Sequence, residues 1–132
     1  MIRRTLFISH SWRYSERYEK MVHLLDARPY FNFKNSSIPE SKAFFGFNNA
    51  QLAEQLRRQI APAQCVIIIG GMWTSYSGWI QFEINEAIRM QKPILGVRPR
   101  SAKVMPRAVV DAADSVVNWN KDSIVSGIRA IS

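Results

Sequence analysis

Two carboxylates, Glu83 and Glu86, lie three residues apart in a stretch with helical periodicity, one and about two turns beyond Trp79. Ile80, Ile84 and Ile88 recur every four residues with Ala87 beside them, so one stripe faces a core. At about 100° per residue, that stripe centres about 140° round from Trp79, and Glu83 lies about 40° round. The arithmetic places Glu83 at the margin of the buried face, between Trp79 and Met90, and Glu86 on the solvent side. A carboxylate at such a margin is partly desolvated, which disfavours its charged form and suits proton or charge chemistry. The plain alternative is a boundary carboxylate paired with Arg89 or a loop arginine. Glu83 is the candidate.

Other chemistries lack their residues. Two isolated histidines, His10 and His23, and a single cysteine make no metal-ligand set. No nucleophilic triad forms around His10, and His23 falls in mid-helix on the surface. Gly70-Gly71 reads as a tight turn and matches no dinucleotide or P-loop fingerprint. Cys65 sits inside an apolar run and reads as a small buried hydrophobe. A lone cysteine gives no disulfide framework, which fits a reducing cytoplasm.

The chain has 132 residues, 47% of them hydrophobic, enough for one domain over 1–132 with a real core. No segment approaches the apolar length of a membrane span, and the N-terminal stretch reads as a strand, not a signal peptide. Net charge is +8, with arginine outnumbering lysine twelve to six. Planar guanidinium forks suit an anionic ligand such as a dinucleotide, or an acidic partner surface. The charges are scattered, and no recognition-helix, zinc or RNA-binding motif accompanies them. Neither nucleic acid nor membrane is an expected partner.

These residues need elements to position them. Strands are expected over 5–9, 30–34, 65–69, 94–97 and 116–119, the third from its uninterrupted β-branched run. Helices are expected over 14–27, 49–60, 79–91, 107–113 and 122–131. A polar, aromatic loop over 72–78, with Ser75 or Ser77 as a cap, precedes the third helix. A longer loop over 35–47 is a candidate cover. Strand and helix alternate five times, which predicts an α/β, three-layer, flavodoxin-like fold with a five-stranded parallel sheet of order 2-1-3-4-5. Ligands bind such sheets beyond the strands' carboxyl ends, at the switch point between strands one and three. That crevice is flanked by Ser9-His10-Ser11 and by residues 70–77, with Glu83 on the helix that follows. A phospho-receiver shares the topology but needs acidic residues where Ser9-His10 and Gly70-Gly71 stand.

Five pieces in register carry a family likeness: FISHSW, SSIPES, GGMWTSYSGWIQFEINEA, KPILGVRP and NWNKDSIVSGIRA. Together they resemble the TIR-like family of bacterial Thoeris anti-phage defence, the ThsB type. More distantly, Trp79-x-x-x-Glu83 is similar to the WxxxE element of enzymatic TIR domains, whose glutamate is required to cleave NAD. The resemblance implies that NAD is a substrate, with no cofactor permanently bound, and that Glu83 is catalytic. It further implies a cyclic ADP-ribose-type messenger that activates a separate effector protein. Self-assembly is among the contacts it allows. The loop after strand two departs from better-known TIR domains.

The chemistry so implied is simple. Breaking the nicotinamide–ribose bond builds positive charge on the sugar, as in glycoside hydrolysis. One placed carboxylate stabilises that charge, and nicotinamide leaves as a neutral group, so a single glutamate suffices. Phe7, Trp73, Tyr76 and Trp79 are expected to stack on rings and exclude water, and Ser9 and His10 to border the ligand. Two alternatives stand beside this one. A non-catalytic TIR-type module would act through protein–protein contacts without consuming NAD. A nucleoside deoxyribosyltransferase-like enzyme would use a glutamate on a related fold.

Overall fold

The unbroken apolar run Cys65–Ile69 (β3) is buried at every position, as a strand covered on both faces must be. Around it, in a computed structural model, β1 (Arg3–Ile8), β2 (Asn32–Asn35), β4 (Ile94–Arg98) and β5 (Ser115–Asn118) complete one parallel sheet. The order is β2-β1-β3-β4-β5, the one expected, and it sets the switch point between β1 and β3. Ile8 lies opposite Ile67, and Val66 opposite Ile94. The structure describes residues 3–9, 15–27, 31–35, 49–69, 73–98 and 107–132, except the side chains of 3, 15–19, 35, 49, 52, 73–77 and 79.

The helices are α1 (Ser15–Asp26), α2 (Asn49–Ile60), α3 (Trp73–Arg89), α4 (Arg107–Ala112) and α5 (Lys121–Ile131). One group joins α1 to α5, and a second runs α2, α3, α4, so both faces of the sheet are covered. Asn120 caps α5, its side chain accepting from the backbone N–H of Asp122 and Ser123 at 2.9 and 3.1 Å. At Gly127 a β-carbon would stand 2.9 Å from Leu95 Cδ1, so the bare backbone lets α5 lie close on β4.

Most boundaries fall within two residues of those expected; α3 does not. It begins at Trp73, so residues 73–78 of the expected loop are helix, and Met72 lies outside the described residues. Serine and threonine are tolerated in a first turn, where backbone N–H groups lack helical partners. Gly78 is exposed and weakens the helix by only about 1 kcal/mol, which the turns beyond it absorb. Seventeen residues give α3 a length of about 25 Å against about 17 Å for β3. Its C-terminal end turns straight into β4, so the surplus of about 8 Å overhangs the carboxyl ends of the strands. That turn is closed by Lys92 N–H to the Ala87 carbonyl at 2.8 Å and Gln91 N–H to the Ile88 carbonyl at 3.0 Å. Gln91 takes the left-handed conformation, φ 59°, that glycine usually fills in this motif.

The rotation of α3 also differs from expectation. Ile80 and Ile84 are buried, but Ile88 is 56% exposed. Among the described side chains of α3, the buried positions are Ile80, Glu83, Ile84, Glu86 and Ala87, an arc centred about 70° from Trp79. Glu83 thus lies near the middle of the buried face, and Glu86 lies within it. The solvent-side placement of Glu86 is corrected.

Candidate active site

β1 ends at Ile8, and Ser9 follows with its backbone N–H still donating to the Ile67 carbonyl at 2.8 Å. The ladder therefore fixes Ser9 at the switch point. Side chains two apart share a strand face, so Phe7 and Ser9 point the same way. Ser9 Oγ donates to Glu83 Oε1 at 2.5 Å, which makes that face the one α3 covers. Both partners are buried, at 2% and 4% exposure.

Burial pushes the Glu83 carboxyl up to about 8, against the smaller opposing effect of the Ser9 hydrogen bond, which favours the charged form. The group is therefore largely protonated at neutral pH in the free protein. It holds its charge back until something nearby favours it.

Glu86, one turn on, has a different setting. Arg57 Nε of α2 donates to Oε1 at 2.7 Å, and Arg89 Nε donates to Oε2 at 2.5 Å. Burial raises this carboxyl, but the two guanidinium bonds outweigh it and hold it below its ordinary value. Arg57 also lies over the Phe82 ring, 5.2 Å from its centroid. Arg89 thus pairs with Glu86, not Glu83, and the cluster ties α2 to α3.

The sequence-predicted residues divide three ways. Ser9 and Glu83 are brought into contact. Phe7 lies one pleat before Ser9, 1% exposed within the core. Trp79 lies on α3 as expected, and Trp73 and Tyr76 lie on α3 too, not on a preceding loop. By helical geometry positions 73, 76, 79 and 83 fall within an arc about 120° wide. The side chains of those three aromatics, all of His10, residues 36–47 and Gly70-Gly71 lie outside the described residues. Sequence reasoning placed Ser9 and Glu83 at one crevice but missed their direct bond, and it missed Arg57 altogether. The signal for Ser9 was a polar residue directly after an apolar strand; Arg57 carried none.

Among the described residues, no group of three or more His, Cys, Asp or Glu side chains could hold a metal ion. Nor is any helix there long and apolar enough to cross a membrane. A cleft of about 370 Å³ lies at the other end of the sheet, lined by Ile88, Lys92, Pro93 and Asp114. It contains neither Ser9 nor Glu83, and the chemistry points to the pair, not to the cleft.

The family model of the Thoeris protein ThsB, TIR-like domain, matches residues 7–104, which span both Ser9 and Glu83. The chain belongs to this family. This TIR-like domain is similar in fold to the CMP N-glycosidase BcmB of Clostridium botulinum, with 15% identity and a TM-score of 0.58. That likeness covers 96% of this chain and 98% of the other. A 3-dehydroquinate dehydratase-like protein from Bifidobacterium longum is similar at 10% identity and a TM-score of 0.50, covering 99% and 95% of the two chains. No curated protein matches the sequence.

Proposed function

We propose that this TIR-like domain cleaves the nicotinamide–ribose bond of NAD, with Glu83 as the catalytic carboxylate, and makes a cyclic ADP-ribose-type signal for a separate effector protein. The observation that carries the proposal is the buried Ser9–Glu83 pair at the switch point of the sheet. An N-glycosidase among proteins of similar fold supports the reaction class, since NAD also holds its base through an N-glycosidic bond.

In the proposed reaction the bond between C1′ and the ring nitrogen breaks, and its electron pair stays with the departing nicotinamide. The ring arrives as a cation and leaves neutral, while positive charge moves onto the ribose. A buried carboxylate suits this course. The incoming cationic ring favours ionisation of Glu83, and the anion then stabilises charge developing on the sugar. Phe7 supports the site from beneath. Trp73, Tyr76 and Trp79 lie on α3 and His10 follows Ser9 in the chain; all four are proposed to contact the substrate and exclude water.

The ribosyl centre then meets water, giving linear ADP-ribose, or a second nucleophile of the same molecule, giving a cycle. Aromatic cover favours the cycle by keeping water out. The test is incubation of purified protein with NAD, following nicotinamide release and resolving linear from cyclic product by mass spectrometry. It is run at low and high protein concentration and with extract of phage-infected cells, so that activity dependent on self-assembly or on an infection signal is also read. No nicotinamide under any of these conditions would sink the proposal.

A second reading is a non-catalytic module working through protein contacts. It draws on the exposed Ile88 and Val110, 56% and 46% accessible. It leaves unexplained why a carboxyl is buried against a neutral hydroxyl at the switch point.

A further inference from the structure

Ser9 is held from two directions. The β1–β3 ladder fixes its backbone through the bond to Ile67, and its hydroxyl is committed to Glu83 Oε1. A glutamate side chain has several torsions, and burial alone does not choose among them. A hydrogen bond from a residue anchored in the sheet does choose. By engaging one carboxylate oxygen, it sets the direction of the other.

On the reading that Glu83 is the catalytic carboxylate, we infer that Ser9 is its positioning residue: the Ser9 hydroxyl, anchored by the sheet, holds Oε1 so that Oε2 faces the ribose of the substrate. Ser9 then acts through Glu83. A hydroxyl has one hydrogen to donate, and here it is given to the carboxyl. This role differs from bordering the ligand.

Among the described residues, Glu86, Arg57, Arg89 and Arg4 are engaged elsewhere. Glu86 on α3 is bound to Arg57 of α2 and Arg89 of α3. Arg4 on β1 donates to Ser132 at the far end of the chain, and Cys65 on β3 remains a thiol. Among the described residues, burial raises the Glu83 carboxyl and Ser9 opposes it, favouring the ionised form that the reaction uses.

The test compares Ser9→Ala, Ser9→Thr and wild type by NAD turnover and by carbon-13 NMR titration of the Glu83 carboxyl. The titration needs no turnover. Ser9→Ala is expected to lower kcat between about tenfold and a hundredfold with KM little changed. It should also move the Glu83 titration to higher pH. Ser9→Thr keeps the hydroxyl and should restore both. A raised KM with kcat and titration unchanged would make Ser9 a substrate contact and overturn the inference. A lowered melting temperature with kcat per folded molecule and titration unchanged would reduce it to packing, with the same consequence. Should wild type release no nicotinamide, the NAD reading fails by itself. The titration still decides whether Ser9 governs the carboxyl: a shift in Ser9→Ala upholds that control, and no shift ends it.

Discussion

Glu83 and Glu86 stand one turn apart on α3, both buried, and their carboxyls are displaced in opposite directions. Burial raises both. Among the described residues, Glu83 meets a neutral hydroxyl in Ser9, whereas Glu86 meets the guanidinium groups of Arg57 and Arg89. One helix therefore carries a carboxyl that leans neutral beside one fixed as an anion. Environments that push two carboxyls apart are how acid–base roles become assigned.

Glu83→Gln is expected to reduce NAD consumption by roughly a hundredfold or more while preserving the fold. It should also change how stability depends on pH. The folded-state value of about 8 lies above the ordinary 4.5, so between them the folded protein holds a proton the unfolded chain releases. Stability from this group is full below 4.5 and is lost as pH rises to about 8. The wild type should therefore lose stability relative to Glu83→Gln between pH 5 and 8, on the order of a few kcal/mol. Denaturant midpoints across that range measure it; a constant difference would contradict the burial of this carboxyl.

The rate should depend on pH in the opposite sense. If ionised Glu83 is the working form, kcat/KM rises with pH, passes half of its plateau near 8 and levels off only above it. A profile that falls through this range would assign the working role to protonated Glu83.

Glu86→Gln is expected to weaken the fold and spare the chemistry. Its depressed carboxyl contributes stability above the ordinary carboxylate value, lost as pH falls through the folded-state value. The Arg57 and Arg89 side chains are 43% and 62% exposed, so solvent screens the pair and the loss is about 1 kcal/mol. Added salt should narrow the gap to wild type. Turnover per folded molecule should match wild type; a loss equal to that of Glu83→Gln would undo the division of labour between the two.

Cys65 should resist thiol reagents. Burial pushes its thiol up to about 12, so almost no thiolate exists at pH 8. Labelling by a disulfide reagent should be slow in the native protein and rapid once denaturant is added. Rapid native labelling would contradict the closed centre of β3.

Gln91→Gly should stabilise the protein. Its left-handed backbone costs a side-chain-bearing residue about 1 kcal/mol, and glycine adopts it without that cost. A rise of about 4 °C in melting temperature is expected. A fall would show that the glutamine side chain contributes more than the backbone costs.

Much of this protein was legible without coordinates. The unbroken run at Cys65–Ile69, the alternation of strand and helix, and the position of Ser9 after an apolar strand gave sheet order and switch point. Each follows from local chain geometry, because hydrophobic period and β-branching act between near neighbours. The site's key bond did not follow, since Ser9 and Glu83 are 74 residues apart. Nor did the start of α3, where Trp73 to Gly78 has loop-like composition and helix continuity decided the conformation. The rotation of α3 was the third omission. Burial is non-directional, so the spacing of Ile80, Ile84 and Ile88 shows that a face exists but not which arc is covered. In the fold the covered arc takes in Glu83 and Glu86, met by Ser9 of β1's end and by Arg57 of α2, while Ile88 stays in solvent. Only tertiary packing brings such partners together.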